Sequence, residues 1–267
     1  MFAMEAVSTV NELFSDLELE RLQHRHARFF NICMKMSLLG AAASDALDSG
    51  QVVSGVGGQY NFVAMAHALK EARSVLMLKS THSSHGRLES NIVWSYGHCT
   101  IPRHLRDLVV TEYGIADLRG RTDRELIAAL LNVADSRFQE GLLAEAKRAG
   151  KIATDYRIPG VFRENTPQRL RAGLASMQQA GLFPDFPFGH DFTPEELVLG
   201  KALRSLQARS ESLTGKLAIA AALLRPVPSA AEPYLLRMGL DRPRGLNQRL
   251  LARLVATALP AEVLKSS

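Results

Sequence analysis

The 267-residue chain is 46% hydrophobic and 22% charged, a composition typical of a globular protein with one large domain, or with one domain and an appendage. No apolar run approaches the roughly 18 residues of a membrane-spanning helix, and the chain opens without a signal-peptide pattern, so we expect a cytoplasmic protein that makes no membrane contact. The formal charge of +5 lies entirely in a C-terminal part without interleaved aromatic residues, which argues against nucleic acid as a partner.

An apolar stretch at residues 29–40 opens the predicted α/β layer, after a short helical pattern at residues 16–22. The stretch lacks helical periodicity, so it predicts a strand pair or one long strand buried in a sheet. Cys33 in this stretch and Cys99 further on are too few for a disulfide framework. Their apolar surroundings predict two small buried side chains.

A glycine-rich segment at residues 54–59, the glycine loop, is the best candidate site in the sequence. Gly55, Gly57 and Gly58 follow an apolar pair and precede a helix-like run at residues 60–69. Glycine permits positive φ and lets backbone N–H groups approach a ligand closely. The helix N-terminus behind the loop would stabilise a phosphate or a developing oxyanion. A ligand site and a simple tight turn are equally good interpretations of these residues alone.

Compact apolar runs after the loop predict the strands of a mostly parallel sheet. They lie at residues 74–78, 91–94 and 108–111, and residues 80–86 read as a polar loop. The last run delivers Glu112-Tyr113-Gly114 to its carboxyl end. Since ligands gather at the carboxyl ends of strands in open α/β sheets, this segment and the glycine loop are predicted to share one rim.

Helices follow the predicted strands. Thr122 and Glu125 form a capping-box pattern ahead of a helix at residues 126–134. Ser136 is the predicted cap of the next helix, which Gly150 ends. Later helices are predicted at residues 168–180, 194–210, 213–224 and 247–259.

Composition and charge shift together near Pro159. Ten of the eleven prolines occur at or after this residue, and residues 165–267 carry 13 basic against 8 acidic side chains, whereas the preceding part has 19 of each. We therefore predict an α/β domain at residues 1–158 and a proline-punctuated helical extension at residues 159–267.

Glu112 is the most prominent carboxylate of the predicted rim. At a strand end it could act as a nucleophile or base if it were desolvated. It could also cap a turn or pair with Arg119, and the local sequence favours these structural roles. The histidine pair His82 and His85 lacks Cys or carboxylate residues at metal-ligand spacing, so we predict no metal site.

Residues 53–62 and 109–120 resemble the C-terminal domain of the acetyl-CoA hydrolase/CoA-transferase family. They read VSGVGGQYNF and VVTEYGIADLRG, and their order and spacing also match. The resemblance extends from about residue 10 to residue 151. It implies an α/β fold of the CoA-transferase type, with a mostly parallel sheet flanked by helices and, in this chain, a C-terminal helical extension.

The resemblance implies acyl-CoA chemistry on coenzyme A and a small carboxylic acid. In the family a glutamate attacks the thioester carbonyl and forms an acyl-glutamyl anhydride and free CoA thiolate. Transfer to an acid proceeds through a glutamyl-CoA thioester, and attack by water gives net hydrolysis. By resemblance, Gly57 and Gly58 offer backbone N–H groups to the oxyanion, and coenzyme A contacts Gly55, Gly57, Gly58 and Gln59.

This chain departs from the family pattern at the nucleophile. The family glutamate lies upstream of the segment that residues 10–12 match, so we expect the catalytic glutamate to be absent and its N-terminal α/β domain to be missing. Glu5 and Glu12 lie in no recognisable nucleophile motif. Glu112 is then the substitute carboxylate, and the uncovered cleft face predicts a homo-oligomer or pairing with a chain that carries the N-terminal domain.

Two functions follow from these residues. The first is the C-terminal portion of an acyl-CoA hydrolase or CoA-transferase, and the alternative is a non-catalytic or degenerate CoA-binding module. A dinucleotide site would need an acidic residue about 20 positions beyond the loop. Lys79, Ser80 and Thr81 stand there instead, so the sequence disfavours it.

Overall fold

The structure is a computed structural model that describes residues 4, 6–13, 16–84, 86–224 and 226–264. Glu5 and His85 lie outside the described residues. The chain divides into two compact units, Met1–Leu182 and Phe183–Ser267. Residues 159–182 thus belong to the first unit, and the domain boundary near residue 159 stays a prediction.

Short strands and helices alternate in the first unit. Its strands are β1 (Arg28–Ile32), β2 (Lys35–Ser37), β3 (Ala42–Ala43), β4 (Arg73–Met77), β5 (Thr81–Ser84), β6 (Arg87–Ser90), β7 (Ile92–Val93), β8 (Leu108–Thr111) and β9 (Gly114–Asp117). Its helices are α1 (Ser8–Asn11), α2 (Leu17–Gln23), α3 (Gln59–Ala68), α4 (Asp123–Asn132), α5 (Ser136–Arg148) and α6 (Pro167–Gln179).

A four-stranded sheet in the order β1-β4-β8-β9 forms the centre of this unit. The first three strands run parallel, and β9 returns antiparallel to β8. The predicted α/β layer with a mostly parallel sheet is therefore confirmed. Two of its strands, β4 and β8, coincide with the apolar runs that the sequence predicts.

One face of this sheet is buried under α3 and α4. Leu76, Val109 and Ala116 on this face are at most 3% exposed. They join a core to which α4 contributes Leu126, Ile127, Leu130 and Leu131. The periodic apolar positions of α4 thus explain why this helix packs where it does.

The opposite face, called the open face, is apolar and poorly covered at its two edge strands, whereas Val75 at its centre is only 4% exposed. In register, Ile32 pairs with Met77, Met77 with Val110, and Val110 with Ile115, so one apolar row crosses all four strands. Ile32 is 73% exposed and Ile115 is 68% exposed, and Phe30 in the neighbouring row is 63% exposed. Parallel strands are usually buried on both faces, which makes the open face unusual for an α/β sheet.

Residues 29–40 form two strands that do not pair with each other. β1 joins the central sheet, whereas β2 lies between β3 and β7 in a separate three-stranded sheet. The predicted strand at residues 91–94 is β7, and it also belongs to this second sheet. The sequence could not separate the two sheets because both strands are apolar.

The predicted polar loop at residues 80–86 is wrong. Residues 81–84 form β5, which pairs antiparallel with β6. The two strands carry few apolar residues and leave most of their side chains at least partly exposed, so they lack the buried pattern that identifies a strand. Gly86 adopts a φ of +76° in the turn between them.

One of the two predicted helix N-caps is confirmed and the other lies one residue earlier. Thr122 and Glu125 form the expected capping box of α4. At α5 the cap is Asp135 rather than Ser136, because the Asp135 carboxylate accepts the amide of Arg137 at 3.0 Å. The hydroxyl of Ser136 instead accepts the amide of Asn165 at 2.7 Å.

The two cysteines differ in exposure. Cys33 is 3% exposed, and burial raises the pKa of its thiol to about 12. Cys99 is exposed, which corrects the expectation of a buried side chain. It lies between His98 and Thr100, whose side chains both turn to Asp45, and this leaves the thiol of Cys99 on the solvent side.

The second unit is helical. Its elements are α7 (Pro194–Ser210), α8 (Leu213–Ala222), α9 (Glu232–Arg237), α10 (Gly245–Ala258) and α11 (Ala261–Leu264). Leu199, Leu235 and Val255 belong to a small core of its own. Within the described part of the chain, no helix has the length and apolar character needed to cross a bilayer.

Candidate functional site

The glycine loop ends in a tight turn at the start of α3. The amide of Gln59 donates to the carbonyl of Val56 at 3.4 Å, which closes a four-residue turn. Gly57 has a φ of +59° and Gly58 has φ −87° and ψ 6°, the φ values of a type II′ turn. A side chain at Gly57 would be strained in this conformation, so the sequence needs glycine there.

The loop is anchored on both sides. Before it, the amides of Val53 and Ser54 donate to the carbonyl of Asp45 at 2.8 and 3.2 Å. After it, the side chain of Gln59 donates to the carbonyl of Ile32 at 3.2 Å. The second contact ties the N-terminus of α3 to the carboxyl end of β1, since Ile32 is the last residue of that strand.

The backbone N–H groups of Gly57 and Gly58 have no acceptor within the residues that the structure describes. Gly57 is exposed and Gly58 is half-buried. Both amides also lie at the N-terminus of a ten-residue helix, whose dipole favours negative charge at this end. The turn thus has the donors that an anion or oxyanion needs.

Three further polar groups lie around this turn, and the sequence pattern did not single them out. The amide group of Asn61, in the first turn of α3, donates to the carboxylate of Glu12. Asn11 is 8% exposed, and its Oδ1 has no partner among the described residues. The shielded Nδ2 of Asn31 on β1 also lacks an acceptor there. Glu12, Asn11 and Asn31 are distant from the loop in sequence, so a local pattern could not include them.

Glu112 lies at the same carboxyl edge of the sheet, at the end of β8. β8 and β1 are separated by β4, so the two ends are about 10 Å apart at the usual strand spacing of roughly 4.8 Å. Both carboxylate oxygens of Glu112 are engaged. Oε2 accepts the amide of Ser80 at 2.8 Å, and Oε1 accepts its hydroxyl at 2.7 Å.

A polar cluster around the buried Asp135 continues from the exposed Glu112 along this edge. The hydroxyl of Tyr113 donates to the carboxylate of Asp135 at 2.9 Å. Burial raises the pKa of Asp135, but hydrogen bonds from Arg137 and Tyr113 outweigh burial and hold it below its ordinary value. Burial and the carboxylates of Asp135 and Glu112 raise the pKa of Tyr113. These contacts therefore keep the carboxylate of Asp135 charged and the phenol of Tyr113 protonated at neutral pH.

The predicted site residues thus lie along one edge of the sheet, but they form two separate groups. Gly55, Gly57, Gly58 and Gln59 lie together, whereas Glu112 belongs to the separate Ser80 and Tyr113 cluster. Arg119 does not pair with Glu112. Its guanidinium donates to Asp107 at 2.6 Å.

A cavity of about 1110 Å³ lies elsewhere, between the β5–β6 hairpin and α5. Lys35, Trp94 and Phe138 are among its lining residues, and the glycine loop is not. Across the described residues, no group of three His, Cys, Asp or Glu side chains is placed to hold a metal ion.

Residues 1–146 match the family described as acetyl-CoA hydrolase/transferase C-terminal domain. The chain is 34% identical over 120 residues to 4-hydroxybutyrate coenzyme A transferase of Clostridium kluyveri. This matched region covers 44% of this chain and 28% of that protein. It is 34% identical over 121 residues to a probable butyrate:acetyl-CoA coenzyme A-transferase of Syntrophomonas wolfei, covering 44% and 27%. The crystal structure of RipA from Yersinia pestis is 31% identical, with a TM-score of 0.42, and covers 47% of this chain and 28% of that one.

The matched region therefore spans little more than a quarter of the length of these relatives. The family match over residues 1–146 contains both the glycine loop and Glu112. The residues after 146 lie outside the family match.

Proposed function

The chain belongs to the acetyl-CoA hydrolase/transferase family, because its residues 1–146 match the C-terminal domain of that family, and we propose that it supplies the oxyanion and coenzyme A contacts of an acyl-CoA hydrolase or CoA-transferase. The observation that carries this proposal is the pair of Gly57 and Gly58 amides at the N-terminus of α3, which have no acceptor among the residues described. The substrates are an acyl-CoA and, for transfer, a small carboxylic acid. No step of this reaction calls for a metal.

The chemistry suits such a turn. When a carboxylate oxygen attacks the thioester carbon, the carbonyl oxygen gains negative charge. The carbon–sulfur bond then breaks, the CoA thiolate leaves with the electron pair, and an acyl anhydride remains on the carboxylate. Fixed amides that face the charged oxygen stabilise the transition state by roughly 3 to 4 kcal/mol for each donor. We assign this role to the N–H groups of Gly57 and Gly58.

Gly55 and Gln59 complete the proposed coenzyme contact. Gly55 is exposed, and a Cβ there would meet no atom within 4 Å, so a ligand can approach its backbone. The Nε2 of Gln59 already donates to Ile32, so Gln59 contributes through its amide oxygen. These contacts hold the thioester against the turn.

In this proposal the attacking glutamate comes from another polypeptide. Glu112 is the substitute within the chain. For that role its carboxylate would have to leave Ser80, which occupies both of its oxygens. This requirement favours the external glutamate.

The open face supports a partner that covers the site. Its exposed residues Phe30 and Ile32 adjoin the glycine loop through the bond from Gln59 to Ile32, and Val52 and Tyr60 beside the loop are 71% and 46% exposed. A polypeptide equivalent to the part of the relatives that this chain does not match would bury this surface and close the site. We propose this polypeptide as the partner and the cytoplasm as the location.

Thiol release from acetyl-CoA tests the proposal in two steps. The purified chain is assayed first alone and then with the unmatched N-terminal portion of a related CoA-transferase as a separate polypeptide. Turnover that appears only in the mixture supports the external glutamate. Turnover by the chain alone that Glu112→Gln abolishes supports the substitute. Binding of coenzyme A without turnover in either case supports the degenerate binding module, and the absence of binding contradicts the proposal.

Size-exclusion chromatography at several concentrations tests the partner. We expect the chain to form a complex with the N-terminal portion. A chain that stays monomeric and does not bind this portion would contradict the proposed cover. Self-association would instead assign the open face to a second copy of the chain.

A further inference from the structure

Asp45 begins the hairpin that leads into the glycine loop. Its carbonyl accepts the amides of Val53 and Ser54 at 2.8 and 3.2 Å, and the next residue, Ala46, pairs with Val52. The backbone of Asp45 therefore fixes the last residues before Gly55. A movement of Asp45 would move the entrance of the loop.

The side chain of Asp45 reaches a distant part of the chain. Its Oδ1 accepts Nε2 of His98 at 2.9 Å and also accepts the hydroxyl of Thr100. The same Thr100 oxygen accepts the amide of Ser44 at 2.8 Å. Thr100 thus holds the backbone before Asp45 as well as its carboxylate.

The Asp45 side chain is only 13% exposed, so its contacts are partly shielded from water. The hydrogen bonds from Thr100 and His98 lower the pKa of Asp45 against the opposing effect of burial. The carboxylate is charged at neutral pH, and hydrogen bonds to a charged acceptor are the stronger kind.

The segment around His98 is itself a stable support. The amides of Thr100 and Ile101 donate to the carbonyl of Ala42 on β3 at 2.8 and 3.0 Å. Asp48 makes a second link between the hairpin and this segment, because its carboxylate accepts the amide of Gly97. The hairpin before the loop is therefore braced against the second sheet.

We propose that Asp45, held by Thr100 and His98, is a positioning residue that aims the amides of Gly57 and Gly58. The loop is suspended between two fixed ends, the Asp45 brace before it and the bond from Gln59 to Ile32 after it. The N–H groups of residues 55–58 donate no hydrogen bond within the described chain, whereas the carbonyls of Val56 and Gly58 accept the amides of Gln59 and Phe62 and hold the turn against α3. The entrance of the loop therefore depends on the Asp45 brace. This inference rests on the proposed oxyanion role of the loop.

Thr100→Val and Thr100→Ser test the brace in the full chain. Valine keeps the shape of threonine but removes the hydroxyl, whereas serine keeps it. We expect Thr100→Val to speed amide hydrogen exchange at Val53 and Ser54 by about tenfold or more, the effect of one lost hydrogen bond, and Thr100→Ser to stay near the wild-type rate. Thr122→Val, which removes a hydroxyl at α4, is the matched control and leaves these two amides unchanged.

The kinetics of acetyl-CoA turnover test whether the Asp45 brace affects the reaction. We expect Thr100→Val and Asp45→Asn, assayed together with the N-terminal portion, to lower kcat at least tenfold with little change in KM, because aim matters in the transition state. Exchange at Val53 that is equally slow in Thr100→Val, or equally fast in Thr100→Ser, would overturn the brace. A kcat that stays at the wild-type value while this exchange speeds up would overturn its positioning role.

A separate measurement tests the proposed function. If acetyl-CoA leaves the amide resonances of Gly57 and Gly58 of the wild-type chain unshifted, the oxyanion assignment is wrong. The exchange rates of Val53 and Ser54 still decide whether Asp45 braces the loop. The two failures therefore have different signatures.

Discussion

Ser80 donates to both carboxylate oxygens of Glu112, from its amide at 2.8 Å and from its hydroxyl at 2.7 Å. Ser80 is fully buried and lies three residues beyond Met77, the last residue of β4. The pair joins the ends of two parallel strands that are neighbours in the sheet. Glu112 therefore acts as a clamp on the strand ends in this structure.

Glu112→Gln should weaken this clamp. Glutamine offers one acceptor oxygen, and its amino group would face a buried donor of Ser80. We expect a loss of about 1 to 3 kcal/mol in the free energy of unfolding, measured with urea. Glu89→Gln is the control, because its ion pair with His82 at 3.5 Å is exposed and contributes at most about 1 kcal/mol. Equal stability of the Glu112 variant and wild type would contradict the clamp.

The N–H of Gly58 can be removed without changing the rest of the loop's sequence. Gly58→Ala adds a Cβ that would meet Phe62 at 3.0 Å and Asn11 at 3.1 Å, but it keeps the N–H. Gly58→Pro adds the same Cβ and two further ring carbons, and it fixes φ at about −65°, roughly 20° from the observed −87°. The two variants therefore differ in the amide hydrogen and in these ring carbons.

We expect thiol release from acetyl-CoA to be about 10² to 10³ times slower in Gly58→Pro than in Gly58→Ala, the usual effect of one lost oxyanion donor. The assay uses the chain with its N-terminal partner if the chain alone is inactive. Far-UV circular dichroism and urea unfolding confirm that both variants fold. Equal rates in the two variants would exclude the Gly58 amide from the reaction.

Much of this architecture can be read from the sequence, for a physical reason. β4 and β8 are short apolar runs that a parallel sheet buries, and the capping box of α4 is a local pattern of four residues. The glycine loop opens onto a helix as predicted, because the signals for turn and helix are adjacent in the chain. Local patterns of this kind need no knowledge of distant residues.

The contacts that build the site could not be predicted in this way. Ser80 and Glu112 are 32 residues apart, and Thr100 and Asp45 are 55 apart. β5 was missed because its four residues, Thr81–Ser84, include no apolar side chain. β9 was missed because only two residues separate it from β8, so the sequence pattern did not show where one strand ends and the next begins.

His67 makes the stability of the first unit depend on pH. Burial lowers the pKa of His67, the guanidinium of Arg119 and His104 act in the same direction, and Asp107 and the hydrogen bond to the carbonyl of Leu105 oppose them. The unfolded chain therefore takes up this proton first as the pH falls through about 6.5. Stabilisation by neutral His67 is complete above that pH and is lost as the pH falls through the lower pKa of the folded state.

His67→Gln should reduce this loss. Glutamine can keep a donor toward the carbonyl of Leu105, which the histidine ring contacts at 3.0 Å, but it does not titrate. We expect the fall in the free energy of unfolding between pH about 7.5 and about 5.5 to be smaller in the variant. His82→Gln, at an exposed pair, serves as the control. A variant with an unchanged pH dependence would show that His67 does not titrate differently on folding.

A lysine on the open face distinguishes a surface that a partner buries from one that stays in solvent, because a lysine is tolerated in water but not in an apolar interface. Ile115 is 68% exposed in the chain alone, so Ile115→Lys should change the free energy of unfolding by no more than about 0.5 kcal/mol. In the proposed complex the same position is buried, and an unpaired lysine there should weaken association at least tenfold. Leu217→Lys, at a position that is 71% exposed in the second unit, is the matched control and should leave association unchanged. Sedimentation of the chain with the N-terminal portion measures the effect. Equal association of both variants would place the partner elsewhere, and a large loss of stability in Ile115→Lys would mean that the face is already covered within the chain.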